Sequence, residues 1–202
     1  MACEDVCAKV VNNSLYDCTV KGISGIEQRV KLINRCDIVL SDWTISRTLT
    51  PLACSHMITA YLGVDPAALN AVTIEGIQGK RLLNASFPWT NGDYGIDYTH
   101  TVNLFTGALT QLSLCNLKAF GRGAEVIAIV EQRFKGAAGV DSFLVYGWDQ
   151  GLKLADGTFD HNENNGNLII PLSSMDPDLE PDPPMVLLMT DYDTTKVWFD
   201  SL

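Results

Sequence analysis

Apolar and polar positions fall into short runs along the chain, separated by Gly, Pro, Asn and Asp. The most continuous apolar run covers 124–130, AEVIAIV, interrupted only by Glu125 and rich in the β-branched residues that suit a pleated sheet. A polar, glycine-bearing connection at 135–139 leads to a second strand-like run at 142–146. Leu152 and Leu154 resume the pattern beyond the turn Gly147-Trp148-Asp149-Gln150-Gly151. Two such runs joined by a short loop predict an antiparallel hairpin. The lack of Gly and Pro across 125–131 predicts that its first strand is central in the sheet. The hairpin is expected to form the middle of a β-sandwich.

Other stretches give further strands. Residues 27–40 read as one strand in which Val30, Leu32 and Asn34 alternate with Arg29, Lys31 and Ile33, continuing through Cys36 to Leu40. Residues 54–62 fit either a short helix or a strand, closed by an Asp65-Pro66 turn. Strands are expected at 70–77 and 80–87 across a Gly76 to Gly79 turn, with Leu83, Ala85 and Phe87 on one face and Asn84 and Ser86 on the other. The turn-rich insert at 88–97, with Asn91-Gly92 at its heart, separates 80–87 from a further strand at 98–105, predicting an extended hairpin with a mobile tip.

One helix is predicted, at 106–120. Thr106 is its expected N-cap, Ala108, Leu109, Leu112, Cys115, Asn116 and Ala119 or Phe120 its core stripe, and Gly121 its left-handed stop. Later, 168–172 and 186–189 read as strands, and 194–202 as a terminal helical turn docking Val197, Trp198 and Leu202. Residues 176–184 hold four prolines and four acids and read as a solvated segment outside the core. The fold class that follows is mainly β (α+β): an antiparallel β-sandwich or partly closed barrel with one flanking α-helix and a long hairpin. Residues 1–25 read as an N-terminal arm and 26–202 as a single domain.

Composition narrows the function. With 202 residues, 47% hydrophobic and 19% charged, the chain can bury a core without staples. A net charge of −10 argues against tight phosphate binding. No export signal or membrane-length apolar run is read in the sequence, and the chain is expected to be cytosolic at synthesis. Cys3, Cys7, Cys18, Cys36, Cys54 and Cys115 lack a framework and read as buried thiols.

No arrangement reads as catalytic. His100 sits on an apolar strand face and is expected to be packed or interfacial; a general base needs an oriented partner, and none can be named. Cys54-x-His56 with Cys3, Cys7 or Cys36 lacks zinc-site spacing. Asp160-x-Asn162-x-Asn164 begins like a calcium loop, but Gly166 comes one residue late and Pro171 and Leu172 stand near the position of the closing Glu, so a hairpin turn accounts for it better. Gly22-Ile23-Ser24-Gly25 is too short for a nucleophile elbow. The chain is expected to be no enzyme and to take no cofactor or metal.

Three stretches carry a family resemblance: 25–38, GIEQRVKLINRCDI; 123–132 through 143–154, GAEVIAIVEQ and FLVYGWDQGLKL; and 183–191, PPMVLLMTD, with Thr194-Thr195-Lys196. The chain resembles virion structural proteins of tailed phages infecting Bacteroidetes, of the tail tube or neck-ring kind. The resemblance extends over most of the chain. Its departures are the N-terminal arm and the insert at 88–97.

The resemblance implies a β-sandwich with a flanking helix and a long hairpin, assembled as stacked, hexameric homo-oligomeric rings. It implies a position in the virion tail after synthesis in the host cytoplasm, with other tail or neck proteins as partners and no membrane. Double-stranded DNA is expected to pass through the lumen without specific binding, and a net charge of −10 fits an acidic wall that repels it. The alternatives are a neck or adaptor ring, another virion component, or a non-viral β-sandwich binding module. Candidate inter-subunit contacts are Trp89, Asn91, Tyr94 and Tyr98, together with the arm. Deleting residues 1–20 is expected to abolish assembly without loss of β structure. Leu112→Asp is expected to unfold the domain by driving a charge into the core.

Overall fold

A computed structural model describes residues 25–50, 53–63, 65–76, 83–91, 95–160, 167–175 and 177–202. Its strands are β1 (Ile26–Asn34), β2 (Trp43–Thr50), β3 (Ala53–Tyr61), β4 (Val72–Glu75), β5 (Asn84–Ser86), β6 (Trp89–Asn91) and β7 (Ile96–Tyr98). They continue with β8 (Thr101–Ala108), β9 (Val126–Gln132), β10 (Phe143–Tyr146), β11 (Lys153–Leu154), β12 (Asn167–Ser173) and β13 (Met185–Leu187). The helices are α1 (Gln111–Phe120) and α2 (Tyr192–Ser201).

The larger sheet has the order β2-β3-β13-β10-β9-β1-β4, and a smaller one runs β11-β12-β8-β5. The two pack as a sandwich that does not close into a barrel. Every pairing in them is antiparallel except that of β13 with β3. The expected central hairpin is present: β9 and β10 pair through Phe143↔Glu131 to Tyr146↔Ala128 and lie inside the larger sheet.

Both faces of β9 are covered, which explains its unbroken apolar run. Val126, Ala128 and Val130 face an inner core shared with Val102, Leu104, Leu152, Ile170 and Leu172. Ile127 and Ile129 face an outer core with Ile58, Phe143, Val145, Trp148, Leu187, Trp198 and Phe199. In β1, Val30 and Leu32 face the inner core and Ile33 the outer one, so the expected split that put Ile33 on a polar face does not hold. Lys31 is buried as well, donating to Thr73 Oγ1 at 2.9 Å and to the Leu202 carbonyl at 2.5 Å. Burial and the nearby Arg29 charge push its pKa down.

Several elements differ from the expectation, each for a local reason. The strand predicted through Leu40 ends at Asn34, and two 3-10 turns, Arg35–Asp37 and Leu40–Asp42, carry the chain to β2. The segment 54–62, open between helix and strand, is strand β3, because β2 and β13 flank it on either side. β4 and β5 do not pair with each other: β4 pairs with β1 and β5 with β8, in different sheets. Their strand character is right and their partnership is not. The Gly79 turn proposed between them lies outside the described residues.

The predicted helix starts late. Residues 106–108 complete β8, whose ladder with β12 extends to Asn167↔Ala108. Thr110, not Thr106, is the N-cap, its Oγ1 accepting from Ser113 N–H at 3.2 Å while Ser113 Oγ accepts from Thr110 N–H at 2.9 Å. This reciprocal box is strong enough to fix where a short helix begins. Ser113 is buried, and Leu117 and Phe120 pack against the inner core, so Leu112 and Cys115 point outward. Gly121 is right-handed, with φ −66°, and the left-handed turn falls at Gly123, with φ +91°.

A second helix flanks the sandwich. α2 is capped by Asp191, whose Oδ1 accepts from Thr194 N–H at 2.7 Å. It buries Thr195, Trp198 and Phe199 on the outer core. An aromatic side chain buried in this way contributes roughly 2–3 kcal/mol. Leu202 packs there too, but Val197 is exposed and does not dock as expected.

Candidate assembly surface

The residues expected to meet other subunits lie on the long hairpin. β5 pairs with β8 through Asn84↔Asn103, Ala85↔Val102 and Ser86↔Thr101. β6 pairs with β7 through Trp89↔Tyr98, Thr90↔Asp97 and Asn91↔Ile96, in the same register. Phe87 and Pro88 break the ladder between them. There Thr99 N–H donates to the Pro88 carbonyl at 2.9 Å, which keeps the two halves aligned.

Because directly opposed residues share a face and alternate residues repeat it, Trp89, Asn91, Ile96 and Tyr98 lie on one side of the β6–β7 ribbon. That side continues the one on which Leu83, Ala85 and Val102 enter the inner core. Beyond the break this side is exposed at Trp89, Asn91 and Ile96, while Tyr98 stays half-buried where it meets Glu180. Phe87 is 36% exposed, Trp89 64% and Ile96 47%, whereas Leu83 and Val102 are buried. Asn91 is exposed and Tyr98 half-buried. Tyr94, the fourth expected contact, lies outside the described residues, as do residues 1–24 of the expected arm. Sequence reasoning missed Ile96, although its place opposite Asn91 across the turn was available to find it.

The base of the ribbon is fixed by a buried polar network. Tyr98 N–H donates to the Glu180 carbonyl at 2.9 Å, and Glu180 N–H returns to the Tyr98 carbonyl at 3.0 Å. The Glu180 carboxylate is 1% exposed and accepts from Asp149 N–H at 3.0 Å and Gln150 N–H at 2.9 Å. Burial raises its pKa, partly offset by those backbone donors. Reading 176–184 as wholly solvated is therefore wrong at Glu180, which the folded Gly147 to Gly151 turn draws inward. Arg47 holds the Asp149 carboxylate at 2.8 and 3.0 Å, and Arg35 donates to the Asp149 carbonyl. Gly147 has φ +73°, and a Cβ there would stand 2.6 Å from Leu152 Cγ, so only glycine fits this turn.

His100 completes the clamp and matches the expectation of a packed histidine. It is 2% exposed, lies 5.5 Å from the Tyr146 ring, and accepts from Gly147 N–H at Nδ1 at 3.0 Å. Burial pushes its pKa down to about 4. The imidazole is thus neutral near pH 7 with its acceptor nitrogen already engaged. His56 Nε2 lies 2.7 Å from the Pro183 carbonyl, tying the same proline-rich segment to β3.

Elsewhere, charged groups pair with one another. Glu131 is buried and meets Lys135, Lys196 at 2.8 Å and Tyr192 Oη at 2.9 Å. Burial alone would raise its pKa, but these donors outweigh it and hold the carboxyl below its ordinary value. An open cleft of about 550 Å³ bordered by Cys36, Trp148 and Asp149 also contains Arg35 and Glu125, which face each other at 3.3 Å.

Cys36 and Cys115 are free and exposed, contrary to the expected buried thiols. Cys36 lies in the 3-10 turn that replaces strand, and Cys115 on the outer side of α1. Cys3, Cys7 and Cys18 lie outside the described residues, as do His161, Asn162, Asn164 and Gly166 of the calcium-like segment and Gly22 and Ser24 of the elbow-like one. Among the described residues no three His, Cys, Asp or Glu side chains gather as a metal site, and no helix is long and apolar enough to cross a membrane. Comparison of the chain with protein-family models, with curated proteins and with solved structures gave no match.

Proposed function

We propose that this chain is a virion structural protein that assembles with copies of itself into rings, stacked as the tail tube of a tailed phage and serving as a conduit for DNA. The observation that carries the reading is the apolar side of the long hairpin, which leaves the inner core and, among the described residues, becomes exposed through Phe87, Trp89 and Ile96. A ribbon anchored at its base by a buried network and bearing an exposed tryptophan suits a protein–protein contact, where aromatic anchors carry much of the energy. The resemblance to tail tube and neck-ring proteins supplies the kind of assembly, stacked hexameric rings meeting other tail or neck proteins. The net charge of −10 suits a wall along which a polyanion slides without binding.

Sedimentation velocity over a hundredfold concentration range, with negative-stain images of the same samples, tests the proposal. Stacked tubes support it. Rings that do not stack move the protein to the neck or adaptor position. A monomer at the highest concentration removes the reading.

A further inference from the structure

Arg133 departs from the pairing that holds elsewhere. Arg29, Arg35 and Arg47 each form an ion pair with a carboxylate. Arg122, which has no such partner among the described residues, stands exposed in the turn after α1. Arg133 is half-buried and also lacks a carboxylate partner among the described residues, and its Nε is buried without a hydrogen-bond partner. A buried donor left without an acceptor is costly and calls for one from outside the chain.

The arginine lines an open cleft of about 760 Å³ beside α2, where β1 and β9 separate. Between Ile26↔Gln132 and Val30↔Val130, residues 27–29 of β1 stand opposite Glu131 alone. These bulged residues follow β4 instead, with Arg29 opposed to Glu75 and the Gln28 carbonyl accepting from Gly76 N–H at 2.7 Å. Past the bulge, Arg133 N–H donates to the Gly25 carbonyl at 3.1 Å, which keeps Arg133 on the side of the sheet that Glu131 occupies.

Four of the chain's 14 lysines and arginines line this cleft: Arg29, Arg133, Lys135 and Lys196. Arg29 is matched by Glu75 at 3.1 Å and Asp200 at 2.8 Å. Lys135 and Lys196 share the buried Glu131, and each has one further partner, Tyr192 Oη at 3.4 Å and Asp200 at 3.2 Å respectively. An ammonium carries three N–H groups, so one is left on each lysine. Glu27, half-buried on the same cleft, has no ion pair among the described residues and works against an anion.

We infer that this cleft binds an oxyanion, a phosphate or carboxylate group, with the Arg133 guanidinium as its anchor and Lys135 and Lys196 as further donors. A water would serve Nε alone, whereas an oxyanion accepts two parallel bonds from the planar guanidinium and balances its charge. The inference is independent of the assembly reading.

Calorimetric titration of the full chain with inorganic phosphate, and separately with succinate, at an ionic strength fixed by sodium chloride, tests it. Saturable binding at one site per chain is expected, and the preferred probe tells a phosphate group from a carboxylate. Arg133→Gln should weaken binding at least tenfold. Arg133→Lys keeps the charge without the planar fork and should fall between that variant and the parent. Glu27→Gln should tighten binding about twofold or more, a change that damage to the fold would not produce. Thermal melting checks that each variant is folded. Affinity unchanged by Arg133→Gln would overturn the inference, because the anion is then held elsewhere. Should Arg133→Gln fail to fold, Glu27→Gln decides alone, and binding that it leaves unchanged would overturn the inference. No saturable binding of either probe would also overturn it, leaving water as the partner of Nε.

Discussion

The two halves of the long hairpin have one register and opposite fates. At the β5–β8 end, Ala85 and Val102 are opposed and contribute to the inner core. At the β6–β7 end, Trp89 and Tyr98 are opposed on the same side, and Trp89 stands in the open. What differs is coverage: the larger sheet lies over one end and stops short of the other. Alternation along a strand therefore identifies the side that is to be buried, but not whether the same chain buries it.

The sharpest way to break the comparison is to put one charge at each end. Val102→Asp buries an unpaired carboxylate where Val102 has no exposure, and should cost more than about 4 kcal/mol and leave no cooperative thermal transition. Trp89→Asp should leave the transition within a few degrees of the parent. Equal loss of structure in both variants, read by near-ultraviolet circular dichroism, would show that the ribbon is part of the core.

Next in size is the pH dependence of the clamp beneath the ribbon. Folding takes His100 from about 6.5 to about 4, so the neutral ring is the form the fold favours. Its contribution is complete above the unfolded value and lost as pH falls from 6.5 toward 4, amounting to about 3 kcal/mol at most. The Asp182 backbone, in the proline-rich segment, and His56 lie near it. Glu180 acts in the opposite sense: its raised pKa gives stability that is present at low pH and lost as pH rises through the folded value. The His100→Phe variant, compared with the parent by urea unfolding at pH 7 and pH 4.5, isolates the histidine. The parent should lose more stability between the two pH values than the variant; equal losses would place His100 outside the clamp.

A smaller effect is expected from Glu180→Gln. The amide keeps one acceptor oxygen and turns an NH₂ toward the second backbone donor, so one of the Asp149 and Gln150 N–H groups loses its partner. The cost should be about 1–2 kcal/mol. Amide hydrogen exchange should speed up at Asp149, Gln150 and Tyr98 and stay unchanged at Val130. Unchanged protection at all of them would mean that the network does not hold the ribbon.

Much of the fold was legible because periodicity and turn residues are local. The β9–β10 hairpin, β12, and the hairpin that spans the 88–97 insert all follow from alternation bounded by Gly, Pro or Asn. Partnership was less legible. β4 and β5 are adjacent in sequence but in different sheets, and β3 is held by β13 from far along the chain. Neither fact leaves a mark on the local pattern. α1 was displaced because Thr106 and Thr110 are equally good caps on paper, and only the β8–β12 ladder decides between them. Glu180 was missed because a carboxylate among prolines looks solvated until the Gly147 to Gly151 turn presents two N–H groups to it. Trp89, Asn91 and Tyr98 were singled out because a turn-rich insert with aromatics has no apolar pattern able to close on itself.

The smallest effect on stability, and the one that most directly separates a covered surface from an uncovered one, belongs to Leu112. Its place in the apolar helical pattern predicts a core residue, and Leu112→Asp would then unfold the protein. At 72% exposure the substitution removes little buried area and introduces a charge into water. It also adds an acid in the first turn of α1, where the helix dipole favours a negative charge. Stability should therefore change by no more than about 0.5 kcal/mol. Should α1 lie in a contact between copies, assembly would need a concentration higher by roughly tenfold, because the carboxylate has to be desolvated there. Thermal melting and sedimentation of the same preparation read both quantities. A melting point lowered by ten degrees would put Leu112 back in the core, and unaltered sedimentation would place α1 outside any contact between copies.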